Sequence, residues 1–228
     1  MNHALLEFLS GFVTGNRLRL FDDNLRQRTR HVTVVLEDIF QPHNASACLR
    51  SCDAFGVQDV HIIENRYEYR LNPDIELGSA QWLTLRRHFS GDDNTAVCIR
   101  DLREHGYRIV ATSPRSDTHP LAECDVTRPA ALLFGTEHEG LSETALNLAD
   151  ERVRIPTYGF AESLNISVAV AVALHHFTTQ LRNSTVDWRL SESERNQLKL
   201  AWVRRTIGGK RLPIIEAEFL RRATTPGL

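Results

Sequence analysis

No apolar run in the 228-residue sequence is long enough to cross a bilayer; Val168 to Leu174, among the longest, falls far short. The chain does not open with the charged and apolar regions of a secretory leader, so the cytoplasm is the expected compartment and no membrane partner is expected. Cysteine is sparse. Cys48, Cys52, Cys98 and Cys124 form no C-x-x-C pair, and no two-Cys, two-His zinc spacing occurs. Cys48 and Cys52 would share a helix face, but a metal half-site there lacks further ligands nearby, so all four are read as small core-facing residues. Three phosphate and nucleophile signatures are also missing. Without G-x-G-x-x-G or a Lys-Ser/Thr after a glycine loop there is no Rossmann or P-loop reading, and without G-x-S-x-G no serine-hydrolase elbow. His43, His88, His105, His138, His175 and His176 bear no fixed relation to a nucleophile.

Net charge is only −2, which does not announce a nucleic-acid binder, yet the charge is unevenly distributed. Arg17, Arg19, Arg26, Arg28 and Arg30 crowd the start, and Arg204, Arg205, Lys210, Arg211, Arg221 and Arg222 crowd the end. Such ends suit contact with phosphates, and they equally suit solvated helix faces. With 42% hydrophobic and 25% charged residues the chain has the composition of a globular protein with one sizeable core.

Leu5, Leu9 and Phe12, then Leu18, Phe21 and Leu25, recur at helical spacing, so residues 1–29 read as an appended helical segment. From His31 the texture changes. His31 to Leu36, Val57 to Ile63, Trp82 to Leu85, Tyr107 to Thr112, Ala130 to Phe134 and Glu151 to Ile155 read as strands. Helices are expected from Ala45 to Phe55, closed by Gly56, from Asp93 to about His105, near Glu143 to Leu148, and from Ser163 to about Leu181. Residues 64–81, with Asn72-Pro73 and Gly78, read as a loop. This alternation predicts an α/β fold with a mostly parallel sheet covered by helices on both faces. Ligands then bind beyond the carboxyl ends of the strands.

Three clusters stand at such ends. After the first strand comes Pro42-His43-Asn44 through Arg50, where Asn44 would cap the helix and Ser46 and Arg50 would share a side. Arg50 offers a rigid fork for phosphate or carboxylate, although a surface arginine explains it as well. After Ala130 to Phe134 comes Gly135-Thr-Glu137-His-Glu139-Gly140. Its glycines allow a tight turn and close approach of a ligand, but a structural turn does not account for Glu137. After the last strand comes a loop with Ser163, Leu164 and Asn165, entering a helix of small residues; capping explains Ser163 and leaves Asn165 unassigned.

Together these clusters resemble the three motifs of the TrmH-type branch of the SPOUT RNA methyltransferases. The first runs from Pro42-His43-Asn44 to Arg50 and on through Asp53-Ala54 and Gly56-Val57. The second is Leu133 to Gly140, and the third joins Ile155-Pro156 to Ser163 through Ala169. The match covers residues 30–182, leaving 1–29 and 183–228 as helical extensions. The resemblance implies a C-terminal trefoil knot, which strand patterning could never supply because threaded chains are essentially absent from ordinary folds. It implies S-adenosylmethionine as methyl donor, with Thr112, Gly135, Ile155 and Leu164 lining its pocket, and it implies a homodimer packed through the long last helix. Arg50 would act on the ribose 2′-OH from across the dimer, with Asn44, Glu137, Ser163 and Asn165 orienting it, the ribose and the loops. That chemistry requires no metal. The implied substrate is tRNA guanosine 18, with a ribosomal RNA ribose second; His138 stands where tRNA-modifying members often carry lysine. An inactive SPOUT-like RNA-binding protein is the competing class, and a flavodoxin-like nucleotide fold lacks its glycines after the first strand.

Overall fold

The computed structural model describes residues 2–70, 78–114 and 117–224, in two compact units: Met1–Arg28 with Arg189–Leu228, and Thr29–Trp188. In the larger unit the strands are β1 (Val32–Glu37), β2 (Asp59–Ile63), β3 (Thr84–His88), β4 (Arg108–Thr112), β5 (His119–Pro120), β6 (Ala130–Phe134) and β7 (Glu151–Arg154). They form one seven-stranded sheet in the order β3-β2-β1-β6-β4-β7-β5, and every pairing is parallel.

Alternation along the strands builds two cores. Val32, Val34 and Leu36 of β1 and Ala130, Leu132 and Phe134 of β6 face one layer; Val35, Ala131 and Leu133 face the other. The first layer is closed by α3 (Pro42–Phe55) and α6 (Ile166–Asn183), which supply Cys48, Leu49, Cys52, Val170, Leu174 and Phe177. The second is closed by α4 (Asn94–Glu104) and α5 (Glu143–Leu148), through Cys98, Ile99, Leu102, Ala145 and Leu146. Strands buried on both faces explain the short unbroken apolar runs. All four cysteines are free and buried, as their small apolar character predicts.

Local chemistry sets the helix ends. Gly56, at φ 78°, turns the chain out of α3 in the left-handed region. Asp93 and Ser142 cap α4 and α5, accepting from Ala96 N at 3.0 Å and Ala145 N at 3.1 Å. Two expected starts are displaced. Helix α3 begins at Pro42 rather than Ala45, because proline's fixed φ suits the first helical position, so Asn44 lies inside the first turn and Gln41 takes the cap position. Helix α6 begins after Asn165, whose side chain accepts from Ser167 N at 2.9 Å; Asn165, not Ser163, is the cap. The strand expected at Trp82 to Leu85 also shifts: Ser79–Trp82 is a 3₁₀ turn and β3 starts at Thr84. The two-residue β5 has no periodic signal in the sequence. The Asn72-Pro73 part of the expected loop lies outside the described residues.

The smaller unit contains α1 (Asn2–Ser10), α2 (Gly15–Leu25), α7 (Glu192–Ile207) and α8 (Leu212–Thr224). Leu9, Phe21, Leu25, Trp202, Val203 and Ile207 are buried in it. Phe21 meets Trp202 edge-on at 5.4 Å between ring centroids, and buried Arg28 lies 5.5 Å from the Trp202 ring. Among the described residues no helix is long and apolar enough to cross a membrane.

Candidate active site

Three loops leave the carboxyl ends of the adjacent strands β6, β4 and β7 and enclose a cavity of about 430 Å³. Thr112 and Ser113 come from the β4 end, Gly135 through Leu141 from the β6 end, and Ile155, Thr157 and Glu162 through Leu164 from the β7 end. All four residues expected to line a donor pocket, Thr112, Gly135, Ile155 and Leu164, are therefore brought to one cavity. Thr112 is fixed there by donating its hydroxyl to Leu133 O at 2.8 Å.

The β6 turn is closed on itself. Thr136 and Gly140 exchange two backbone hydrogen bonds of 3.0 Å, and Gly140 takes φ 73°. A Cβ on Gly135 would stand 2.1 Å from the Gly140 carbonyl and 2.3 Å from Leu141 N, so only glycine fits. This close approach brings Glu137 to the cavity rim, half-buried.

Glu137 is the hub of the polar cluster. Its Oε1 accepts from Asn44 Nδ2 and from Asn165 Nδ2, each at 2.6 Å. Asn165 Nδ2 also donates to Asn44 Oδ1 at 3.2 Å, and Asn44 donates to Gln41 Oε1 at 2.8 Å. The structure thus joins the three sequence clusters through Asn44, Glu137 and Asn165, contributed by α3, the β6 turn and the cap of α6. The negative charge of Glu137, with burial, pushes the Cys48 thiol up to about 12, burial being the larger cause.

Ser163 lines the cavity, exposed, with no side-chain hydrogen bond among the described residues. Arg50 is exposed, outside the cavity lining, and makes no ion pair or hydrogen bond there with any described residue. Ser46, one turn before it, is instead fully buried and donates to Pro42 O at 2.7 Å.

Sequence reasoning missed a supporting layer. Buried Glu37, the last residue of β1, accepts from Thr95 Oγ1 at 2.5 Å and from Ser142 N and Oγ at 2.8 and 2.7 Å, tying β1 to the starts of α4 and α5. Next to it Asp38, at φ 54°, accepts from Asn65 N and Arg66 N at 2.8 Å, and Arg66 also pairs with Glu139 of the β6 turn. An acidic residue ending a strand that is otherwise buried throughout is the one signal that could have found it.

The SpoU rRNA Methylase family model matches residues 31–175 of the chain. The chain belongs to this family. A tRNA (guanosine(18)-2′-O)-methyltransferase of Borreliella burgdorferi is 41% identical over 199 residues, 87% of this chain and 89% of its own. The crystal structure of a TrmH/SpoU tRNA modifying enzyme of Aquifex aeolicus superposes with a TM-score of 0.76 at 29% identity, covering 85% of this chain and 98% of that one. The SpoU methyltransferase AviRb of Streptomyces viridochromogenes, in complex with the cofactor AdoMet, superposes with a TM-score of 0.59 at 26% identity, over 71% of this chain and 65% of that one.

Proposed function

We propose that the protein is a cytoplasmic RNA ribose 2′-O-methyltransferase that uses S-adenosylmethionine and acts on guanosine 18 of tRNA. The observation that carries this reading is the cavity at the ends of β6, β4 and β7, with the Asn44–Glu137–Asn165 cluster at its rim. Its residues fit the donor. The volume is that of a small-molecule pocket. Gly135 keeps the turn backbone against its neighbours, and Glu137, Glu139 and Glu162 give the lining an acidic balance suited to a cation. Thr112, Gly135, Ile155 and Leu164 would hold it. When bound, its sulfonium supplies an electrophilic methyl group. The chain's part is alignment: Glu137 fixes both asparagine amides, and that fixed cluster with the exposed Ser163 hydroxyl orients the ribose. The target assignment rests on the relatives' likeness over most of the chain.

The finer reading has three parts. The chain following β4 is knotted as a trefoil, which is consistent with β4 lying between β6 and β7. Residues 30–182 form the catalytic domain, and 1–29 with 183–228 supply RNA contacts. Two copies pair through α6, whose Val168 and Val172 are exposed, and each Arg50 serves the other copy's cavity. Support for this is that Arg50 is unengaged among the described residues and outside the lining of its own chain's cavity, and that Tyr158 and Phe160 in the β7 loop are fully exposed. A guanidinium stays protonated, so Arg50 positions the 2′-oxygen and stabilises its developing charge rather than acting as base.

Arg50→Ala should bind S-adenosylmethionine normally by calorimetry and lose methylation of a tRNA transcript. Gly135→Val should lose donor binding. Mixing the two inactive variants should restore activity, because the hybrid pairs an intact cavity with an intact Arg50. Failure of the mixture would place Arg50 in its own chain's site, and full activity of Arg50→Ala would remove it from the mechanism.

A further inference from the structure

Away from the cavity, two histidines and a cysteine meet beside the β2–β3 edge of the sheet. Ile63 of β2 pairs with His88 of β3, and His61 lies two residues before Ile63, so both imidazoles are on the face covered by α4. Cys98 descends from α4. His61 Nδ1 and His88 Nε2 are 3.1 Å apart, Cys98 Sγ is 3.8 Å from His61 Nδ1, and the three ligand atoms all lie within 4.8 Å of one another. His61 and Cys98 are buried, and His88 is half-buried.

We propose that His61, His88 and Cys98 form a structural site for a zinc-class cation, independent of the methyl-transfer chemistry. Zinc bonds of about 2.05 Å to nitrogen and 2.3 Å to sulfur, at tetrahedral angles, separate two nitrogens by about 3.3 Å and nitrogen from sulfur by about 3.6 Å. The His61–His88 and His61–Cys98 separations approximate those edges, and the His88–Cys98 pair lies within 4.8 Å. Without a metal, His61 Nδ1 shares hydrogen bonds with His88 Nε2 and the Cys98 thiol; a bound cation would replace both contacts. Two imidazoles and a thiol are borderline-to-soft donors, which favour zinc or cuprous copper over magnesium or calcium. Forming the metal–sulfur bond releases the Cys98 proton to solvent. The bound dication and thiolate leave one positive charge, faced by Asp101 one turn along α4 and by Glu37, with Arg86 opposing. Such a clip would fasten the sheet edge to α4, whose Thr95 holds Glu37.

The test uses the full-length protein, stripped with a chelator and titrated with Zn²⁺ against a chromophoric competitor. One equivalent should bind and raise Tm, and Co²⁺ in its place should give a thiolate charge-transfer band. Cys98→Ala should abolish the band, and His88→Ala, at a half-buried edge position, should weaken zinc affinity at least tenfold while the circular dichroism spectrum is retained. Wild-type protein that binds no zinc, or that shows no thiolate band with Co²⁺, overturns the proposal without reference to any variant; so does affinity undiminished in both variants.

Discussion

At the scale of single residues, one carboxylate oxygen receives two amide N–H groups, and each such bond to a charged acceptor contributes roughly 1.5–3 kcal/mol. Glu137→Ala removes that acceptor and leaves the buried Asn44 NH₂ with Gln41 as its one acceptor among the described residues. It should lower the unfolding free energy by about 1–3 kcal/mol in urea titrations, and Glu137→Gln, which keeps an acceptor but no charge, by less. Wild-type stability for the alanine variant would mean that Glu137 does not join the two asparagines. Gly135→Ala is a sharper probe, because its new carbon would lie 2.1 Å from the Gly140 backbone. Calorimetry should then show donor affinity falling at least tenfold, and unchanged affinity would separate this turn from the pocket. The Cys48 thiol, held near 12 by burial and by Glu137, should resist thiol reagents at pH 8 until the protein unfolds.

Among the elements, strands were legible and helix starts less so. β1 and β6 announce themselves because strands buried on both faces are apolar at most positions, and Gly56, Asp93 and Ser142 mark ends by their own backbone chemistry. Pro42 and Asn165 show the limit. Proline is read from sequence as a breaker, yet at the first position of α3 it continues the chain into the helix and moves Asn44 inward. Ser163 and Asn165 are both good caps by type, and only the path of the β7 loop selects between them. That second case yields a separable experiment. Asn165→Ser keeps a capping oxygen for α6 but removes the amide that reaches Glu137. Stability should fall by no more than the roughly 1.5–3 kcal/mol of the lost bond to Glu137, with the cap kept, while turnover drops sharply. Unchanged turnover would show that Asn165 serves the helix alone.

For the molecule as a whole, convergence was what the sequence could not display. Asn44, Glu137 and Asn165 lie 93 and 28 residues apart, and their meeting follows from the sheet order, which a linear pattern does not encode. His61, His88 and Cys98 were invisible for the same reason, since they belong to three different elements. The basic ends were legible as charge, but several of those cations are committed: Arg28 is buried, and Arg26, Arg204 and Arg222 pair with Asp23, Glu216 and Glu218. Arg17, Lys210 and Arg211 remain exposed without an ion pair among the described residues. Reversing all three to glutamate should weaken tRNA binding and flatten its dependence on salt, leaving donor affinity intact; an unaltered salt slope would take the smaller unit out of RNA recognition. That unit is assembled from both ends of the chain, with Met1–Arg28 and Arg189–Leu228 separated by the whole sheet. During synthesis α1 and α2 are made well before α7 and must wait for it before Leu9 and Phe21 are covered. At about 5–20 residues per second that is on the order of ten to thirty seconds, during which this early-made segment leaves its apolar side chains for chaperones to shield.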